Sequence, residues 1–158
     1  MTVAQQSLIS PTANPDLLSS LNVQGQGMVN YIGHGSESVW AGGLFSATDA
    51  TGLTNGPMVP FVVSMTCLNG YFQDVFGTAL AKALMGAPNG GALAVWASSG
   101  LTNSAPQAAM NQALVSALFG TSPMTIGEAA AAAKAAITDL DVRRTWILFG
   151  DPAIRLPK

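Results

Sequence analysis

The chain has 158 residues, 49% of them hydrophobic, with a mean hydropathy of +0.36, enough to bury one sizeable core and so to form a single domain. Only 9% are charged and the formal net charge is −2, so no basic surface can neutralise a row of phosphates, which argues against nucleic acid as a partner. No apolar run approaches the roughly 18 to 20 residues that a membrane helix needs, and a single cysteine, Cys67, leaves no internal disulfide to form.

Residues 1–26 include the polar, proline-containing stretch "MTVAQQSLISPTANPDLL", with neither a basic head nor an apolar signal core. It reads as a linker or N-terminal extension of a longer precursor, and the domain proper is expected over residues 27–158. "GMVNYI", Gly27 to Ile32, reads as a strand buried on both faces and closed by Gly33. Residues 36–58 form a Gly/Ser/Thr/Asn-rich connection, and "VPFVVSMT", Val59 to Thr66, is the strongest strand signal. A helix is expected from Val75 to Met85, capped by Asp74 and ended by Gly86. "GALAVWAS", Gly91 to Ser98, is the third strand and runs into the polar loop "SGLTNSA".

A helix then starts at a Ser104/Gln107 capping-box pattern with Pro106 in its first turn, and Ala109, Ala113, Leu114 and Ala117 repeat at helical spacing before Gly120. Thr125 and Glu128 repeat the box ahead of an alanine run, a good helix former that packs closely on a sheet. "RRTWILFG" fits a helical extension or a strand, and "GDPAIRLP" is expected to turn at Asp151-Pro152 and end in a short strand. Apolar strands alternating with helices imply an α/β fold with a mainly parallel sheet and helices on its faces.

In such sheets reactive groups gather beyond the carboxyl ends of the strands. His34, the only histidine, follows the first strand, and Cys67 follows the second. Neighbouring strands lie about 5 Å apart, so a thiol and an imidazole separated by 33 positions could meet over the sheet edge. A free thiol is mostly protonated at neutral pH, and an adjacent imidazole raises its reactive fraction and can protonate a leaving amine. Gly33 and Gly35 free the neighbouring N–H groups to turn toward a substrate carbonyl. Taken alone, Cys67 also fits an inert buried thiol and His34 a loop residue. Ser36, Ser38, Ser98 and Ser99 are alternative nucleophiles that need more assumptions. One His and one Cys leave two ligands to be found among eight scattered acids, so no metal and no cofactor is expected.

"GHGSESVW" at Gly33 to Trp40, "CLNGYF" at Cys67 to Phe72 and "FGDPAIRL" at Phe149 to Leu156 together resemble the gingipain-type cysteine peptidases, relatives of caspases. The resemblance implies a caspase-like three-layer α/β sandwich and a thiol endopeptidase acting on polypeptides. In it Cys67 attacks the scissile carbonyl, His34 carries the proton, and the N–H groups of Gly35 and Cys67 stabilise the oxyanion. Trp40, Glu37, Ser98 and Ser99 would line the substrate cleft, with Asn69 and Gly70 shaping the turn after the thiol. A preference for a basic side chain would need a carboxylate at the pocket floor. The loop Ala97 to Gln107 contains no acid, Glu37 and Asp74 are the nearest by sequence, and no such preference is assigned.

The resemblance further implies a secreted or cell-surface location. It also implies that N-terminal strands of the complete fold are missing here, which leaves a sheet edge for a second copy of the chain or a companion fragment to cover. Two other readings fit the same residues: a catalytically impaired relative serving as a binding or assembly module, and a small-molecule acyl hydrolase.

Overall fold

β-Branched and apolar runs form the sheet, and helices cover both of its faces. The structure, a computed structural model, describes residues 10–157. Its four strands, β1 (Met28–Ile32), β2 (Phe61–Met65), β3 (Ala94–Ser98) and β4 (Trp146–Phe149), lie side by side in sequence order. β1, β2 and β3 run parallel and β4 closes the sheet antiparallel to β3.

Side chains alternate across the pleat, so each central strand feeds two cores. Phe61, Val63 and Met65 of β2 and Ala94 and Trp96 of β3 pack with Met110, Leu114, Ile126 and Ala129 from α4 (Ser104–Phe119) and α5 (Ile126–Ala135). Val62, Val95 and Ala97 point the other way, toward Leu80 and Leu84 of α3 (Leu80–Met85) and Ala50 of α2 (Ala47–Thr51). Every residue of β2 and β3 is buried. Burial on both faces is why these two strands read as unbroken apolar runs.

β1 differs from its expected burial: only Tyr31 is buried, and Asn30 and Ile32 are exposed. It lies at the edge of the four-stranded sheet, where among the described residues one side of its backbone and part of its side-chain surface have no neighbouring strand. The stretch read as a linker is folded from residue 13 onward. α1 (Ala13–Ser19) and a wider helical turn over Ser20–Gln24 bury Ala13 and Leu21 in the α3-side core. Residues 1–9 of that stretch lie outside the described residues.

Three other local readings are corrected. The helix expected from Val75 begins only at Leu80, and Val75 and Phe76 stay exposed. Asp74 accepts from the Phe76 N–H at 2.9 Å in a turn and caps no helix. The first amides of α3 are satisfied from a distance instead, Leu80 N–H donating to the Glu37 carbonyl at 2.8 Å and Ala81 N–H to that of Asn69 at 2.9 Å. At α4 the N-cap is Asn103, without a side-chain cap, and the Ser104/Gln107 box does not form. The closing strand is absent too, because Pro152 and Ile154 give their carbonyls to the Gly127 and Ile126 N–H groups at the start of α5.

The box at Thr125/Glu128 forms as read, and a second one at Ser46/Asp49 starts α2 inside the connection read as irregular. "RRTWILFG" extends no earlier helix, since α5 ends at Ala135, and divides instead between a separate short helix and a strand. α6 (Leu140–Thr145), capped by Asp139 on the Val142 N–H at 2.9 Å, hands over to β4 at Trp146.

Candidate functional site

β1 and β2 pair in register up to Ile32 opposite Met65, and the ladder is extended by Gly33 N–H donating to the Met65 carbonyl at 3.2 Å. His34 and Cys67 each stand two residues beyond that last pair. They therefore leave adjacent parallel strands at the same level, above the carboxyl edge of the sheet.

The loop bearing His34 is tied down on its backbone. Ala41 N–H donates to the His34 carbonyl at 2.8 Å, and Ser36 N–H to the Val39 carbonyl at 3.0 Å. The Tyr31 hydroxyl donates to the same His34 carbonyl at 2.7 Å and accepts from Ala41 N–H at 3.2 Å. Burial raises the phenol's pKa, only partly offset by the Ala41 N–H, so Tyr31 stays a neutral donor. Gly35 has no room for a side chain: a Cβ there would fall 2.8 Å from Thr66 Oγ1 and 2.9 Å from the Val39 carbonyl oxygen. The chain thus presses against the residue that precedes Cys67, while the imidazole is left exposed.

Cys67 is half-buried, and its sulfur meets the loop after β3. Thr102 N–H donates to Sγ at 3.5 Å, and Sγ donates to the Thr102 carbonyl at 3.6 Å. Immediately after it, Leu68 takes a left-handed conformation (φ +62°), unusual for a side chain of that size, and gives its N–H to Gly100 at 3.2 Å. Gly70 N–H donates to Ser98 at 2.8 Å, so close that a Cβ would lie 2.8 Å from the Ala97 carbonyl oxygen. These constraints fold Cys67–Gly70 back onto β3. The Gly35 and Cys67 amides donate to no other described residue, which leaves two N–H groups at the carboxyl edge for a ligand oxygen.

Trp40 is a core side chain that reaches the surface only at the cleft beside β1. It is 2% exposed, stacked on Tyr31 at 4.2 Å and 6° and tilted against Phe45 at 5.1 Å. Its indole N–H donates to Asn69 Oδ1 at 2.8 Å, and Asn69 Nδ2 donates to the Ser36 carbonyl at 2.6 Å. A large ring with a polar edge is best spent where that edge finds a partner, and here it joins the histidine loop to the turn after the cysteine.

Ser98 and Ser99 are both hydrogen-bonded to the end of α6. Ser98 is fully buried, its one hydroxyl proton within 3.0 Å heavy-atom reach of both the Gly100 carbonyl and Thr145 Oγ1, and Ser99 donates from both N–H and Oγ to the Thr145 carbonyl at 2.8 and 3.1 Å. Both pin the loop to the end of α6. Glu37 is half-buried and contributes its carbonyl to α3. Thr102, Tyr31 and Leu68 were not singled out by the sequence, because a threonine in "LTN" or a tyrosine within a strand carries no local signature. Among the described residues no group of three or more His, Cys, Asp or Glu side chains is placed to hold a metal ion.

A sequence model of peptidase family C25 matches residues 1–157. Gingipain R2 of Porphyromonas gingivalis is 32% identical over 144 residues, which cover 82% of this chain and 19% of that protein. Gingipain R1 of the same organism is also 32% identical over 144 residues, covering 14% of its length. The chain thus spans about a fifth or less of these relatives. Among solved structures, the Arg-specific cysteine proteinase gingipain R superposes with a TM-score of 0.81 at 28% identity, over 90% of this chain and 36% of that one. A complex of the pro- and mature domains of RgpB from Porphyromonas gingivalis matches with the same TM-score at 27% identity, over 90% of this chain and 37% of that one. The architecture is the caspase-like α/β sandwich.

Proposed function

The chain belongs to peptidase family C25, and from that premise we propose that it supplies the nucleophile and the proton carrier of a cysteine endopeptidase. His34 takes the thiol proton of Cys67, and the sulfur attacks the carbonyl carbon of a peptide bond. The resulting oxyanion turns toward the Gly35 and Cys67 N–H groups, which have no other described acceptor. The C–N bond breaks as His34 hands its proton to the leaving amine, and a thioester remains on Cys67. Water, giving a proton to His34, then opens the thioester and restores the thiol.

The observation that carries this reading is the matched position of His34 and Cys67, two residues past the Ile32–Met65 pair on neighbouring parallel strands. The substrate is a polypeptide met outside the cell or at its surface. Among the described residues no helix is long and apolar enough to cross a membrane. Glu37 sits on the histidine loop as the nearest carboxylate by sequence to the rim.

The outer edge of β1, with Asn30 and Ile32 exposed, accepts a strand from a companion fragment of the same peptidase. Beside that edge lies a cleft of about 150 Å³ lined by Leu17, Met28, Val29, Tyr31 and Leu44 among others, which takes the incoming side chains.

A peptidyl acyloxymethyl ketone tests the dyad. Selective modification of Cys67, lost in His34→Ala, is the expected result, together with peptide cleavage abolished in Cys67→Ala. Cleavage that survives Cys67→Ala would refute the assignment. Labelling no faster than that of an unstructured thiol would point to an impaired relative used for binding.

A further inference from the structure

Gln107 is polar yet only 5% exposed, and it caps nothing on its own helix. It sits in the first turn of α4, a 16-residue helix held in the core by Met110 and Leu114. From there its Nε2 donates twice to one residue, to the Thr102 carbonyl at 3.2 Å and to Thr102 Oγ1 at 2.8 Å. Thr102 is the residue whose N–H and carbonyl both meet the Cys67 sulfur. It belongs to no helix or strand, so no ladder fixes the orientation of its peptide groups.

We propose that Gln107 is a positioning residue for Cys67: through Thr102 it holds an N–H donor on the sulfur while the thiol gives up its proton. The inference rests on Cys67 being the nucleophile. In the thiol state the S–H can donate to the Thr102 carbonyl, so both Thr102 groups are satisfied at the sulfur. Once His34 has taken the proton, that carbonyl oxygen faces an anion and would be driven away, carrying the Thr102 backbone with it. The Gln107 N–H on the same oxygen offsets the repulsion and keeps the loop in place. The Thr102 N–H then makes a charge-assisted bond to the thiolate, stronger than its bond to the neutral thiol. Gln107 exchanges no proton and touches no reacting atom.

The test uses the full chain, with Gln107→Met, which keeps length and bulk and removes the donor, and Thr102→Val, which removes the hydroxyl half of the clamp at a half-buried position. The readout is the second-order rate of iodoacetamide alkylation of Cys67 at one neutral pH, with the melting temperature measured beside it. The clamp predicts alkylation about tenfold slower in Gln107→Met, the loss of one charge-assisted hydrogen bond to the reacting sulfur. A smaller slowing is expected in Thr102→Val, and the double variant should be no slower than Gln107→Met.

A purely structural glutamine predicts the opposite, because a loosened loop exposes the sulfur and speeds alkylation. Unchanged or faster alkylation in a cooperatively folded Gln107→Met overturns the proposal. If that variant does not fold, unchanged or faster alkylation in Thr102→Val overturns it instead. Alkylation needs no peptide substrate, so failure of the clamp is distinguishable from failure of the nucleophile. Peptide cleavage retained in Cys67→Ala would remove the nucleophile itself, whatever the clamp does.

Discussion

Trp40→Phe is the substitution that separates a core tryptophan from a cleft wall. The phenyl ring keeps contact with Tyr31 and Phe45 but loses the N–H that reaches Asn69 Oδ1 at 2.8 Å. Asn69 is 0% exposed, so its oxygen is left without donor or water, which costs about 1–3 kcal/mol. Removing one ring of the indole from a site 2% exposed adds about 1 kcal/mol or more of lost packing. The expected loss is about 2–4 kcal/mol, a large part of the roughly 5–15 kcal/mol that holds a domain of this size together. Urea unfolding followed by fluorescence measures it, because Trp96 and Trp146 remain as buried reporters. A double-mutant cycle with Asn69→Ala should return a coupling of about 1–2 kcal/mol. Asn69 also anchors the Ser36 carbonyl and the start of α3, so the variant should lower the turnover rate of peptide cleavage as well. A loss below about 1 kcal/mol, accompanied by weaker peptide binding, would put Trp40 back at the cleft and refute the reasoning.

Gly35→Ala should lower both peptide cleavage and melting temperature, because its Cβ would lie 2.8 Å from Thr66 Oγ1 and 2.9 Å from a backbone carbonyl; an unaffected cleavage rate would show that the histidine loop shifts at no cost. Ser98→Ala should destabilise by about 1–3 kcal/mol, measured by urea unfolding, through the Gly100 N–H that loses its acceptor and the tie to Thr145 Oγ1 that is removed; a change confined to KM would mark Ser98 as a substrate contact. Glu128 has its pKa lowered by the Thr125 N–H, then by the Thr125 hydroxyl and, to a smaller extent, by Arg155. Its contribution to stability is therefore complete above the ordinary glutamate value of 4.5 and is lost as pH falls through the lower folded-state value. Melting temperatures of Glu128→Gln and the parent should accordingly converge in acid and differ at neutral pH, and a gap that persists in acid would place the cap's effect elsewhere. Thr125→Ala removes the other half of that box and should cost about 1 kcal/mol in the same melts.

Some of this molecule was written plainly in its residues. Phe61–Met65 and Ala94–Ser98 were legible as strands because burial on both faces demands an uninterrupted apolar run. The Thr125/Glu128 box was legible because both of its hydrogen bonds close within four residues. Family membership was legible from three short motifs and is shown by the match to residues 1–157.

What the sequence left open turned on partners brought from far along the chain. The Ser104/Gln107 pattern satisfies the same local rule as Thr125/Glu128, yet Gln107 turns back to Thr102, a residue bonded to the Cys67 sulfur from 35 positions away. α3 starts at Leu80 rather than Val75 because its free amides meet the Glu37 and Asn69 carbonyls there. Trp40, Ser98 and Ser99 sit at sequence positions that suit a cleft, but Asn69 and Thr145, 29 to 47 residues away, draw them inward. Spacing along a chain states what a side chain can bond, whereas the pairing of parallel strands decides which acceptor reaches it first.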